Sequence, residues 1–267
     1  MYKYNYKDTH KWENYWKNYD KKLYLKDTFD NRCWELERSI LYHILKNKIE
    51  YNFLDFAVWT WRVSSFLESI WIINIKWIDI SKEMLKEAEK KLKNTKLYEW
   101  DIEKDNFFNK WEFDIITTFR FFLNADEWLR RTILPKLNYY LNDDGILIFN
   151  IHANKFSWKW FIHLFRNTSR YIFYKSLWKI LWKKENWKTY KNNLSINYIE
   201  RLLKENWFDI VDIYSYQYIP YVLNMILSKE KWLNLEKKLI KNKKGFWSSF
   251  IVVCRKNKYC MDKKWKY

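Results

Sequence analysis

Two acids 24 residues apart, Asp55 and Asp79, carry the first chemical signal in the chain. Phe53 to Phe56 read as a short buried strand around one acid, and Arg62 to Leu67 as the start of a helix. Ile72 to Ile80 read as a second strand ending in Ile78-Asp79-Ile80-Ser81. An acid about 20 residues beyond the first strand of a strand–helix–strand unit is placed to hold the hydroxyls of a ribose. One carboxylate accepts two hydrogen bonds from a cis-diol, and a strand end holds it still. Further polar residues fall after later strands: Asp101 after Lys96–Trp100, Arg120 after Phe113–Thr118, and His152 after Ile146–Ile151. Ligands of open α/β sheets bind outside the carboxyl ends of the strands. Arg120 could pair there with a carboxylate or phosphate, and His152 could act as a base or substrate ligand. Each also has a plain structural use, Arg120 in an ion pair with a loop acid and His152 as a packed strand-end histidine.

The bend between strand and helix, Ala57-Val58-Trp59-Thr60-Trp61, has tryptophan where a nucleotide-binding turn needs bare backbone. The chain has 2 Gly and 19 Trp in 267 residues, whereas ordinary usage of about 7% would give roughly 19 glycines. Trp77, Trp100, Trp111 and Trp207 sit at expected turns or strand edges, where glycine punctuates folds. Trp207 follows a helix and precedes a strand, the usual place of a C′ glycine. These positions fit UGA codons, which some genetic codes read as glycine and others as tryptophan. A protein truly rich in tryptophan should instead place its indoles on apolar faces.

With Trp59 and Trp61 read as glycine, the segment Leu-Asp-Phe-Ala-Val-Gly-Thr-Gly-Arg resembles motif I of the class I S-adenosylmethionine-dependent methyltransferases. Ile-Asp-Ile-Ser-x-x-Met-Leu at 78–85 and Asp-Asp-Gly-x-Leu-Ile-Phe at 143–149 follow in the order that family uses. The resemblance covers about residues 50–255 and is strongest over 53–151. It implies a Rossmann-like three-layer α/β sandwich with a seven-stranded mixed sheet whose last strand is antiparallel. It also implies S-adenosylmethionine as cofactor, held by Asp55, Ala57, Trp59, Thr60, Trp61 and Arg62 at the turn, and by Asp79 and Ile80 at the ribose. Met84 would border the adenine, Asp101 would accept from its amino group, and Ile102 would lie on its ring. Phe119 and Arg120 would face the methionine end or the acceptor. Ordinary core packing is the other reading of Met84, and a surface acid that of Asp101. Methyl transfer by in-line attack on a sulfonium methyl asks the protein mainly for orientation and a dry site. No catalytic residue follows firmly; His152 and Arg120 are the candidates. As written, the indoles at 59 and 61 should obstruct the cofactor.

The elements that position these residues alternate strand and helix. Leu36, Ile40, Leu41, Ile44 and Leu45 give Asn31–Lys48 a helical apolar stripe. Residues 1–50 are thus expected to be an N-terminal helical cap, 51–255 the methyltransferase domain, and 256–267 a charged, frayed tail. Lys82–Leu92 is the expected third-layer helix, capped by Ser81. Asp126–Leu141 is a further helix, followed by a turn at Asn142–Gly145. Residues 155–193, aromatic and basic, read as a lid-like helical insertion after the fifth strand, with a membrane-surface or base-stacking helix as the other reading. A helix from Ser195, a sixth strand at Trp207–Tyr214, a helical region at Pro220–Lys241 and a last strand at Phe250–Arg255 complete the alternation.

The totals narrow the function. No run reaches the roughly 18 apolar residues of a membrane span, and the N-terminus shows no signal-peptide pattern, so a cytoplasmic location is expected. Cys33, Cys254 and Cys260 are an odd set without metal-ligand spacing, and His10, His43, His152 and His163 form no cluster, so no metal is expected. The formal charge of +18 points towards acidic partners, but abundant Lys, Asn, Ile and Tyr also mark A/T-rich coding. Three functions stay open: a methyltransferase for a small molecule or glycan precursor, one for RNA or protein, and a non-enzymatic Rossmann-like binding module if Trp59 and Trp61 are genuine. A nicotinamide dehydrogenase is disfavoured, because Val63 and Ser64 follow Arg62 where its glycine pattern would continue.

Overall fold

The computed structural model describes residues 28–56, 61–101, 104, 106–152, 194–219, 226–242 and 249–257. The turn residues Ala57 to Thr60, Ile102, the 155–193 insertion and most of the tail lie outside them, as do the first 27 residues.

Strand–helix alternation in the sequence produces an eight-stranded sheet. The strands are β1 (Phe53–Phe56), β2 (Ile75–Asp79), β3 (Lys96–Glu99), β4 (Phe113–Thr118), β5 (Leu141–His152), β6 (Phe208–Tyr216), β7 (Lys241–Asn242) and β8 (Ser249–Lys256). They lie in the order β3-β2-β1-β4-β5-β8-β6-β7. β3, β2, β1, β4 and β5 pair in parallel. β8 runs antiparallel to both β5 and β6. Apart from the two-residue edge strand β7, this is the expected seven-stranded mixed sheet with its last strand reversed.

Side chains alternate across a strand, and both faces are apolar here. Leu54, Phe56, Ile116, Leu147, Phe149, Phe250 and Val252 pack on one side with α4 (Phe121–Asn124), α5 (Glu127–Tyr140) and α6 (Ile196–Glu205). Phe53, Ile75, Trp77, Ile115, Ile148, Ile251 and Val253 pack on the other. That face is covered by α1 (Phe29–Leu45), α2 (Arg62–Ser69), α3 (Lys82–Glu89) and α7 (Lys229–Leu239). Of the expected α1 stripe, Leu36, Ile40, Leu41 and Leu45 are buried and Ile44 is partly so. Thr28, Ser81, Asp126, Ser195 and Ser228 cap their helices through side-chain oxygens.

Two expectations change. Asn142–Gly145 is not a separate turn but part of β5, which is continuous from Leu141 to His152. The turn chemistry survives as a register break: Phe113 opposes Leu141, but Ile115 opposes Ile146. Lys256 belongs to β8 rather than to a frayed tail and is buried beside Asp143.

Backbone conformation bears directly on the tryptophans. Five described residues other than glycine have positive φ, and three are Trp71, Trp111 and Trp207. A bulky residue there crowds its Cβ against the backbone. Trp71 follows α2 in the full Schellman pattern: its N–H donates to Glu68 O at 3.1 Å and Ile72 N–H to Leu67 O at 3.1 Å. Trp207 follows α6, its N–H donating to Lys204 O at 3.1 Å. Trp77 behaves otherwise, fully buried in β2, but its Nε1–H finds no acceptor among the described residues.

Trp71 is 78% exposed, so its removal forfeits little burial. Trp71→Gly is expected to raise the unfolding free energy by up to about 1 kcal/mol, strain relief outweighing the entropy glycine adds to the unfolded chain. Trp77→Gly should lower it by about 3–5 kcal/mol through the cavity it leaves. Urea unfolding at unchanged m-value measures both.

Candidate active site

The carboxyl ends of β1, β2, β3, β4 and β5 lie along one edge of the sheet because these strands are parallel. Asp55 lies one residue before the end of β1, opposite Thr117 of β4 and Trp77 of β2. It is fully buried. Ser64 Oγ, from the first turns of α2, donates to its Oδ2 at 2.7 Å, and Thr117 Oγ1 donates to its Oδ1 at 2.7 Å. Burial raises its pKa to about 7, against these hydrogen bonds and the nearby Arg62 charge. Arg62 opens α2, with its guanidinium 4.8 Å from the Trp34 ring centre.

Asp79 is the last residue of β2. Its Oδ1 accepts from Ser81 N at 2.9 Å, which bends the chain into α3, and the Ile80 N–H also donates to it. Burial raises its pKa to about 7, and the Asp55 charge adds to the rise. Part of its surface remains open to water at the rim of the sheet. Two acids thus share one strand-end region, one locked between hydroxyls and one at the rim.

The other expected residues divide. Trp61 is buried in the core cluster of α1 and α2, with φ −57°, so the crowding expected at this position is a matter of indole volume, not of left-handed backbone. Met84 and Phe119 are also core residues of that cluster. Asp101 follows β3 and is half-buried, its carbonyl accepting from Lys104 N at 3.0 Å. Arg120 follows β4 in a left-handed bend, φ 68°, and its N–H donates to Asn150 Oδ1 at 2.6 Å. His152 ends β5 opposite Ser249 of β8; its side chain is outside the described set. Ala57, Trp59, Thr60 and Ile102 are outside it entirely.

Sequence reasoning missed Ser64, Thr117, Glu37, Asn150 and Tyr216, all fully buried polar residues at or beside this edge. The one local signal was the pair of hydroxyls Thr117-Thr118 ending an apolar strand. Thr118 is also fully buried, and its Oγ1 has no partner among the described residues. No group of metal-ligating side chains occurs among the described residues, and no helix there is long and apolar enough to cross a membrane.

No protein-family model matches the chain, and no curated protein matches it. Solved structures do. A Thermotoga maritima SAM-dependent methyltransferase, described as a possible histamine N-methyltransferase, superposes with TM-score 0.63 at 16% identity, over 93% of this chain and 99% of that one. A TehB-like SAM-dependent methyltransferase from Corynebacterium glutamicum gives 0.58 at 10% identity, over 92% and 98%. The magnesium protoporphyrin IX methyltransferase of Synechocystis, solved with bound SAH, gives 0.58 at 11% identity, over 94% and 100%. The chain has the Rossmann-like fold of class I S-adenosylmethionine-dependent methyltransferases.

A carboxyl whose pKa is raised by folding stabilises the fold while protonated, and that contribution is lost as pH rises from its unfolded value, about 4, to its folded value. Asp55, at about 7, should therefore make stability fall between pH 4 and 7. In Asp55→Asn this fall should shrink by up to about 4 kcal/mol, as read from urea midpoints across that pH range.

Proposed function

We propose that this chain is a class I S-adenosylmethionine-dependent methyltransferase acting on a small-molecule or glycan-precursor nucleophile. The observation that carries the reading is Asp79, an acid ending β2 beside the end of β1, in a sheet whose order and reversed strand match this fold. Ligands of such sheets bind at that edge, and the solved proteins that share the architecture are methyltransferases. The donor set fits the cofactor at its nucleoside end. Asp79 would accept from the ribose hydroxyls, and Asp101 with Ile102 would meet the adenine. The 57–62 bend would lie against the methionine portion, with Asp55 fixing β1 beneath it. S-adenosylmethionine supplies the methyl group. The chain's own part is to orient the acceptor, exclude water, and supply Arg120 or His152 near the transferring end.

This reading includes glycine at 59 and 61 in the natural polypeptide, and at 71, 111 and 207. Three left-handed backbones at tryptophan support it, and so do 19 Trp against 2 Gly. UGG codons at these positions in the gene would refute it. The net charge of +18 favours one second reading, an RNA acceptor. RNA binding that weakens steeply with salt, together with RNA-dependent turnover, would support it.

Calorimetry with S-adenosylmethionine should show binding to the chain carrying Trp59→Gly and Trp61→Gly and none to the chain as written. Equal binding by both would mean the bend has been misread. In the glycine-bearing chain, Asp79→Asn should weaken binding about 10–100-fold, the worth of hydrogen bonds to a charged acceptor. Binding should also strengthen as pH rises through about 7, since only the ionised carboxyl accepts from both hydroxyls. Asp79→Asn should lose this pH dependence.

A further inference from the structure

A second polar cluster lies where β4, β5 and β6 end and β8 begins. Its centre is Glu37 of α1, fully buried. Glu37 Oε1 accepts from Asn150 Nδ2 at 3.0 Å and from Tyr216 Oη at 2.6 Å. Asn150 in turn accepts, through Oδ1, the N–H of Arg120 at 2.6 Å. One turn earlier on α1, Cys33 Sγ accepts from Gln217 Nε2 at 2.8 Å, and Gln217 Oε1 accepts from Ser249 Oγ at 2.8 Å. Among the described residues, Arg120 and Gln217 are the two left-handed ones that are neither tryptophan nor glycine, φ 68° and 65°. Both bends at the strand ends are therefore tied to a single face of α1.

Left-handed backbone at a non-glycine residue persists only where its surroundings over-determine it. Arg120 has such a constraint in its amide bond to Asn150. Asn150 can hold that bond only if its own amide group is oriented, and Glu37 takes the donor end. Tyr216, whose pKa is pushed well above 10 by burial and by the Glu37 charge, stays a phenol and keeps donating to the same oxygen.

We propose that Glu37 is a positioning residue: through Asn150 it sets the bend at Arg120, and so the β4 end where cofactor and acceptor would meet. The catalytic consequence rests on the methyltransferase reading; the control of the bend does not.

Amide hydrogen exchange on the full chain without cofactor tests the bend. In Glu37→Leu, exchange at the Arg120 amide should speed at least tenfold relative to Leu54 in β1, whereas Glu37→Gln, which keeps an acceptor oxygen, should retain protection. If Glu37→Leu does not fold, Glu37→Asp, which withdraws the carboxylate by one methylene, should show the same selective rise. Calorimetry in the Trp59→Gly, Trp61→Gly chain gives the second readout: Glu37→Leu, or Glu37→Asp in its place, should weaken S-adenosylmethionine binding at least tenfold. Unchanged exchange at Arg120, a rise shared equally with Leu54, or a selective rise with unaltered affinity would each overturn the proposal. If the glycine-bearing parent binds no cofactor, the function proposed above fails, and the exchange arm alone decides whether Glu37 holds the bend.

Discussion

Asp55 is the point on which the site edge depends. Its two carboxyl oxygens join three elements, β1 by its own backbone, β4 through Thr117 and α2 through Ser64. A carboxyl removed from water is costly unless its hydrogen-bonding capacity is met. Two short hydroxyl bonds meet it here, and the raised pKa shows that desolvation still outweighs them. The arrangement is therefore geometric rather than a store of stability. Asp55 in β1 and Ser64 in α2, nine residues apart in sequence, are thereby held in direct contact.

The elements were legible where the signal is local. The α1 stripe, the Ser81 and Ser195 caps, and Asp79 at the end of β2 follow from spacing and capping chemistry, and the structure places them so. Strand order was legible only through the family resemblance, since periodicity does not say which strands pair. Asn142–Gly145 misled because its Asn-Asp-Asp-Gly composition is that of a turn. In the fold those residues sit in the register break of β5, with Asn142 hydrogen-bonded to Asp114. Gly145 does not have positive φ, so the feature glycine usually signals is absent there.

The site was less legible, for a physical reason. Ser64, Thr117, Asn150 and Tyr216 matter through partners 9 to 179 residues away, and apart from the paired hydroxyls at Thr117-Thr118 nothing in their immediate sequence distinguishes them from ordinary strand and helix residues. Met84 and Phe119, expected beside the cofactor from their places next to strand ends, have side chains buried in the core cluster with α1 and α2. Apolar residues near a strand end serve either role.

The tryptophans join these two levels. A residue's side chain can be accommodated by packing, as Trp77 and Trp232 are in the core, but a left-handed backbone cannot be repacked away. Trp71 and Trp207 occupy helix C′ positions whose hydrogen bonds form only with φ positive. Capping geometry thus calls for glycine independently of any ligand. Under the proposed function, the same residue type would be needed at the 57–61 bend for a different reason, close approach of a bound molecule. Two unrelated demands, one from helix termination and one from ligand space, converge on the same substitution. A protein that had merely abandoned its cofactor would have lost glycine at the bend and kept it at its helix ends. The proposed decoding of these positions as glycine would meet both demands by one cause, whereas loss of a cofactor alone would leave the helix ends unexplained.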